Sequence, residues 1–278
     1  MSEPATPGPV PVVSSLEGPP GAPVLVLGNS LGTTRAVWEP QQALLRRHFR
    51  LLRYEHRGHD GSPAPAGPYT IGQLGADVVA LLDGYGIERA AYCGISLGGM
   101  IGLWLAANVP GRITALGLCC TSACLPPVSL WTERARQVRS AGMGAIARQV
   151  VGRWFTAPFA AREPSVPASF VAQLEATDPE GYAGCCEAIA AMDLRPSLAS
   201  ITAPTLVIAA AEDPATPPWH GAVIASGIAG ARLQVVRGAA HLANVSNPGE
   251  VGGALLRFLP RRATGAGPGS PRRPPSGG

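Results

Sequence analysis

The chain has 278 residues, 46 % of them apolar, enough to bury a sizeable core in one α/β domain with an insertion. All 22 basic residues are arginine, and four of them lie in the last 18 residues, which hold no acid; elsewhere 18 arginines face 18 acidic residues, so the formal charge of +4 belongs to the tail. A neutral body argues against a duplex-binding face, and no apolar run approaches the roughly 18 residues of a membrane span.

Taken in chain order, the first apolar run is VLVLG (24–28), followed at once by the pentapeptide GNSLG (28–32). A second run, FRLLRYE (49–55), leads into HRGHDGSP, and a helix is expected over 70–85 from the spacing of Ile71, Leu74, Val78, Leu81 and Leu82. AAYCGI (90–95) reads as a strand that runs into GISLG (94–98), with a helix expected over 97–108. ITALGLCC (113–120), TLVIAAA (205–211) and RLQVV (232–236) complete six strands. Strands apolar on both faces and alternating with helices predict a mostly parallel sheet flanked by helices.

The alternation fails over 121–200, an Ala-rich stretch of helical pattern with no convincing strand. Inserted there, a helical segment sits over the carboxyl edge of the sheet, where open α/β sheets bind ligands. The expected organisation is therefore a core in two parts, 1–120 and 201–259, a helical cap over 121–200, and a Pro/Gly/Arg tail or linker over 260–278 with too little apolar content to fold. The cysteines at 93, 119, 120, 124, 185 and 186 lack the C-x-x-C spacing of a zinc site, and no charged-then-apolar leader opens the chain. Reduced, mostly buried thiols in a cytoplasmic protein are expected.

GNSLG and GISLG both fit G-x-S-x-G, the pattern of a nucleophilic serine on a sharp strand-to-helix corner. In a chain with 35 glycines the bare pattern is weak, so its context decides. GISLG has a strand before it and a glycine-rich helix, LGGMIGLWLAANVP, directly after it, which makes Ser96 the candidate nucleophile. GNSLG has only the strand; helical pattern resumes near Trp38. On a sheet of this kind such a loop supplies one oxyanion N–H while the residue after the nucleophile supplies the other. Leu31 and Leu97 are the candidate donors, and the Ser30 side chain is incidental.

A serine hydroxyl needs a base, and the chain order here is serine, acid, histidine. Only His220 and His241 follow Ser96. His241, in GAAHLANVSNP after the last strand, is the candidate base; His220, at a helix start, is expected on the surface or facing the cap. The strand 113–120 is followed by no carboxylate, whereas 205–211 is followed by Glu212 and Asp213. Pro214 favours a turn at Asp213, making it the candidate acid, with Glu212 facing solvent.

With these residues located, the chain resembles the α/β-hydrolase superfamily and, within it, the 3-oxoadipate enol-lactonases. The resemblance runs from about residue 24 to 259, through LVLGNSLGTT, RYEHRGHDGSP, GISLGGMIG, WTERARQVRSAGM, RWFTAPF, AAEDPATPP and AAHLANVSNP. The triad stretches carry the superfamily; the Asn-Ser-Leu-Gly-Thr loop and the cap stretches around Trp131 and Trp154 carry the lactonases. It implies an α/β-hydrolase fold with the cap inserted before the strand that precedes the acid. It further implies hydrolysis of 3-oxoadipate enol-lactone in the β-ketoadipate pathway through a Ser96–His241–Asp213 triad and an acyl-enzyme, without metal or organic cofactor. Two positions depart from the usual Asp-x-Arg-Gly-x-Gly-x-Ser loop: Glu55 replaces the Asp and Asp60 the second Gly. His56 and His59 in that loop are expected to hold it by local hydrogen bonds.

The substrate carries a carboxylate, which an arginine fork suits. Trp131 and Arg134, three apart on one helix, and Trp154 are the candidate substrate-binding residues. Fused relatives join such a lactonase to a carboxymuconolactone decarboxylase, and the tail looks like that linker, so fusion or functional association with a decarboxylase is the one partner expected. The alternatives are another α/β hydrolase (a carboxylesterase, a C–C hydrolase or a cofactor-free haloperoxidase) and, from a different class, a lactone receptor with little turnover.

Overall fold

The computed structural model describes residues 8–259. All six expected strands are present: β2 (Val24–Gly28), β3 (Arg50–Tyr54), β4 (Ala90–Ile95), β5 (Ile113–Cys119), β6 (Thr205–Ala210) and β7 (Arg232–Val236). They are preceded by β1 (Ser14–Glu17), which pattern reading missed. Its SSLE sequence has one apolar residue, and it pairs antiparallel with β3 at the sheet edge, half-buried throughout. The sheet order is β1-β3-β2-β4-β5-β6-β7, and every pairing except β1 with β3 is parallel.

Around the sheet run α1 (Glu39–Leu45), α2 (Ile71–Gly84) and α3 (Leu97–Asn108). Thr70 caps α2 by accepting from the Gln73 N–H, and the Gln73 side chain accepts the Thr70 N–H in return. Between β5 and β6 lie only helices: α4 (Val128–Ala141), α5 (Ala147–Val151), α6 (Ala157–Arg162), α7 (Ser165–Glu175), α8 (Pro179–Ala191) and short 3₁₀ turns. In α4 the buried stripe is Trp131, Ala135 and Val138, at helical spacing. The chain then continues through α9 (Pro218–Gly227), α10 (Ala243–Ser246) and α11 (Pro248–Phe258). No helix among the described residues is long and apolar enough to cross a membrane. The expected tail over 260–278 lies outside the described residues.

Register positions the two serine motifs. In the parallel pair β2–β4, Gly28 stands opposite Gly94. GNSLG and GISLG therefore leave the sheet side by side at its carboxyl edge, the edge from which the loops after β6 and β7 also leave.

Candidate active site

Ser96 sits between the end of β4 and the first turn of α3 with φ 54° and ψ −118°. A non-glycine residue held there costs about 1–3 kcal/mol, so its surroundings must fix it. They do: the Ser96 N–H donates to Cys119 C=O (3.0 Å), and its C=O accepts from the Thr121 hydroxyl (2.7 Å) and the Met100 N–H (3.0 Å). The corner is also packed backbone on backbone. A Cβ on Gly98 would lie 2.4 Å from the Gly28 carbonyl, and one on Gly94 would lie 2.2 Å from Gly98. Only glycine permits that approach.

His241 follows β7, buried, with Nδ1 2.8 Å from Asp213 Oδ2. Nδ1 carries the proton in this pairing, which leaves Nε2 as the proton acceptor. Asp213 accepts three further hydrogen bonds from its own turn: the Ala215 and Thr216 N–H groups reach Oδ1 (2.8 and 3.0 Å), and the Thr216 hydroxyl reaches Oδ2 (2.7 Å). Burial pushes the Asp213 carboxyl up, but His241 and the Thr216 donors outweigh it and hold the pKa below its ordinary value. Backbone hydrogen bonds tie the acid loop to β7 and the histidine loop: Ala211 N–H to Val236 C=O (2.8 Å) and Glu212 N–H to Ala239 C=O (3.0 Å). Glu212 itself is exposed, as expected.

His220 corrects one expectation. It is buried, not on the surface, and its Nδ1 lies 2.7 Å from the Ser122 hydroxyl. Burial lowers its pKa against an opposing pull from Asp213. It lies in the first turn of α9, and its partner Ser122 stands at the entrance of the 121–200 segment.

The GNSLG loop is held from below. Asn29 C=O accepts from the Gly98 N–H (2.9 Å) and from His56 Nε2 (2.8 Å), and its amide nitrogen donates to Tyr54 C=O (2.7 Å). His59 Nδ1 donates to Arg57 C=O (2.9 Å), and its Nε2 accepts the Gly32 N–H (2.9 Å). The Thr33 N–H turns back to Ser30 C=O (3.1 Å). Gly32 and Thr33 thus spend their donors on holding the loop, and Leu31 is the residue just before them. The Leu97 N–H is the first of α3, where helical donors have no intrahelical acceptor.

The two histidines do what their loop position predicts, and both are held neutral. Burial, with the neighbouring His59 charge, lowers His56 to about 3, and burial lowers His59 to about 4. Glu55, in place of the usual Asp, is fully buried and accepts the Arg35 N–H at both oxygens (3.0 and 3.1 Å); burial raises it to about 7. Asp60, in place of the usual glycine, keeps the left-handed turn at φ 40°, a conformation Asp tolerates better than most residues.

Ser96, His241 and Leu31 line one cavity of about 180 Å³, closed on the other side by residues of the helical segment. That is below the ~300–1,000 Å³ of drug-sized ligand sites, and so fits a small metabolite. Trp131, Arg134 and Trp154, the three candidate substrate-binding residues, all line it. The Arg134 guanidinium lies 4.7 Å over the Trp131 ring, and the Trp131 indole N–H donates to Leu125 C=O (3.0 Å). Sequence reading missed two residues here: Thr216, which holds the acid, and Arg153, which shares the cavity wall.

Comparisons with known proteins show the family to which this fold belongs. A family model described as alpha/beta hydrolase fold matches residues 23–248. A 3-oxoadipate enol-lactonase 2 of Acinetobacter baylyi is 41 % identical over 81 % of this chain and 84 % of its own. The crystal structure of an enol-lactonase from Burkholderia xenovorans superposes with a TM-score of 0.87 at 44 % identity, covering 89 % of this chain and 96 % of that one. A protein of Klebsiella pneumoniae named putative carbamate hydrolase RutD is 31 % identical over 82 % of this chain and 88 % of its own.

Proposed function

The chain belongs to the alpha/beta-hydrolase fold family as a relative of 3-oxoadipate enol-lactonases, an ester hydrolase, and we propose that it opens 3-oxoadipate enol-lactone to 3-oxoadipate. The observation that carries the reading is the shared wall: Ser96 on its strained corner and His241, backed by Asp213, line one small cavity. The 41 % identity to a named enol-lactonase supports this substrate over the carbamate of the 31 % relative.

Ser96 Oγ attacks the lactone carbonyl as His241 Nε2 takes its proton. The carbonyl oxygen becomes an oxyanion on the Leu31 and Leu97 N–H groups, which point at charge that exists only in the tetrahedral state. The ring C–O bond then breaks, and the enol oxygen takes the proton back from His241. The enol tautomerises to a ketone, which removes the nucleophile that would re-close the ring. Water, deprotonated by His241, attacks the acyl-Ser96 ester and releases 3-oxoadipate.

Asp213 fixes the imidazole tautomer and stabilises the imidazolium. Trp131, Arg134 and Trp154 line the wall against which the ring and its carboxylate side chain lie, and the helices over 121–200 serve as the cap. A cytoplasmic setting suits the substrate, and a decarboxylase acting on a carboxymuconolactone, fused or separate, would supply it.

The discriminating experiment offers the purified protein the enol-lactone, a neutral activated ester and a carbamate side by side. The lactone is turned over with the highest kcat/KM. A folded preparation that prefers the carbamate, or leaves the lactone intact, overturns the reading.

A further inference from the structure

Arg153 stands in the turn after α5, with its N–H on Val150 C=O (3.1 Å). The next residue, Trp154, accepts the Leu242 N–H on its C=O (3.0 Å). Leu242 directly follows His241, so this turn of the helical segment is fastened by backbone to the loop that carries the candidate base. Arg153 therefore has a fixed place in the cavity wall, which Arg134 on α4 also lines.

Its charge is unmatched. Among the described residues no carboxylate lies within 4 Å of either Arg134 or Arg153, and the Arg153 Nε is buried with no hydrogen-bond partner. Arg153 is half-buried, and what sets it apart is the missing counter-ion: Arg53 and Arg57 also hold a buried nitrogen without a partner, but Arg53 pairs with Glu17 at 2.8 Å and Arg57 grips Asp77 with two nitrogens at 2.7 and 2.8 Å. An unpartnered guanidinium donor out of water is costly. Burial and the like charge of Arg134 both work against the Arg153 cation. The acid whose charge favours it, Asp213, is already bound to His241. Two cations sharing the wall of a small cavity, one with an orphaned donor, form half of an ion pair whose other half is the ligand.

We propose that Arg153, with Arg134 beside it, anchors a carboxylate of the substrate, making the site selective for anionic esters and lactones over neutral ones. This rests on the lactonase reading for which anion is bound. The bidentate geometry open to a guanidinium fixes the orientation of the acid, and so presents the ester carbonyl to Ser96 in one pose.

The test uses inhibition, so that it does not depend on the lactone. Hydrolysis of neutral 4-nitrophenyl acetate reports the Ser96 site, and glutarate and its neutral diamide, glutaramide, are the probes. Glutarate inhibits competitively in the wild type and glutaramide does not. In Arg153→Met the glutarate inhibition constant rises about tenfold or more, and in Arg153→Lys, which keeps the charge but loses the fork, it rises less. Arg148→Met, which removes an exposed charge on α5, leaves it where it was.

Equal inhibition by glutaramide, an inhibition constant unmoved in Arg153→Met, or an equal rise in Arg148→Met overturns the proposal. Thermal melting identifies a misfolded Arg153→Met, in which case Arg153→Lys alone decides by the same criterion. The two readings fail separately. Intact lactone with glutarate inhibition through Arg153 removes the lactonase and keeps the carboxylate site; lactone turnover with inhibition indifferent to Arg153 does the reverse.

Discussion

The Gly32 N–H donates to Nε2 of His59 at 2.9 Å, while the other ring nitrogen of His59 donates to Arg57 C=O. A neutral imidazole thus acts as a strut beneath the loop that presents the Leu31 N–H. Removing it in His59→Ala frees the loop without touching Ser96, His241 or Asp213. The expected result is a fall in kcat of about tenfold with a smaller change in KM, because the oxyanion donor acts in the transition state. Equal losses in kcat for His59→Ala and for an exposed-surface control variant would argue against the strut.

The same buried histidines set an acid limit on folding. Their folded pKa values, about 3 for His56 and about 4 for His59, lie below the ordinary 6.5. Below pH 6.5 the unfolded chain takes up protons that the native state refuses, so stability is lost as pH falls from 6.5 toward 4. At ~1.4 kcal/mol per pH unit per group the loss over that window is roughly 3 kcal/mol for each. Glu55 works the other way: its folded pKa of about 7 exceeds 4.5, so its contribution to stability falls as pH rises from 4.5 to 7. Denaturant unfolding at pH 5 and pH 8 checks the signs. Glu55→Gln steepens the loss on acidification, and His59→Ala makes it shallower.

The serine corner makes a sharp prediction for stability. A methyl group on Gly98 meets the Gly28 carbonyl at 2.4 Å, backbone against backbone, with no flexible side chain to give way. Gly98→Ala is expected to cost about 3 kcal/mol or more, or to prevent folding. Gly144→Ala, where a Cβ meets nothing within 4 Å, is expected to change the unfolding midpoint little.

Thr216 is the cheapest way to disturb the acid without removing it. Thr216→Val deletes the hydroxyl that reaches Asp213 Oδ2 at 2.7 Å and leaves the two backbone donors to Oδ1. With one charge-stabilising donor gone, the Asp213 pKa rises, and the acid limb of the kcat/KM profile moves to higher pH. A profile identical to wild type would show that the hydroxyl does not act through the carboxylate.

What was legible in the sequence, and what was not, divides along physical lines. The five inner strands, β2 to β6, announce themselves because parallel strands buried on both faces are continuous apolar runs; RLQVV was found by its β-branched and apolar residues although β7 is the other edge of the sheet and largely exposed. The edge strand β1, SSLE, has no such run and is defined only by its pairing with β3. Ser96, Asp213 and His241 could be read from their order and from the strand each follows. The burial of His220 was not legible because PPWH at a helix start has no periodicity that reveals it; its hydrogen-bond partner, Ser122, is 98 residues away. Arg153 gave no signal of its own: it lies in a turn, and its unmatched charge exists only in the fold, where no carboxylate among the described residues comes within 4 Å of it.

The most direct measurement follows 3-oxoadipate enol-lactone with the wild type, Ser96→Ala and Ser30→Ala in parallel, scoring lactone loss and 3-oxoadipate formation. Wild type converts the lactone, Ser96→Ala falls by about 10³-fold or more, and Ser30→Ala keeps a substantial fraction. No conversion by folded wild type, or a collapse in Ser30→Ala with Ser96→Ala still active, would contradict the assignment of GISLG as the reacting corner and GNSLG as the oxyanion wall.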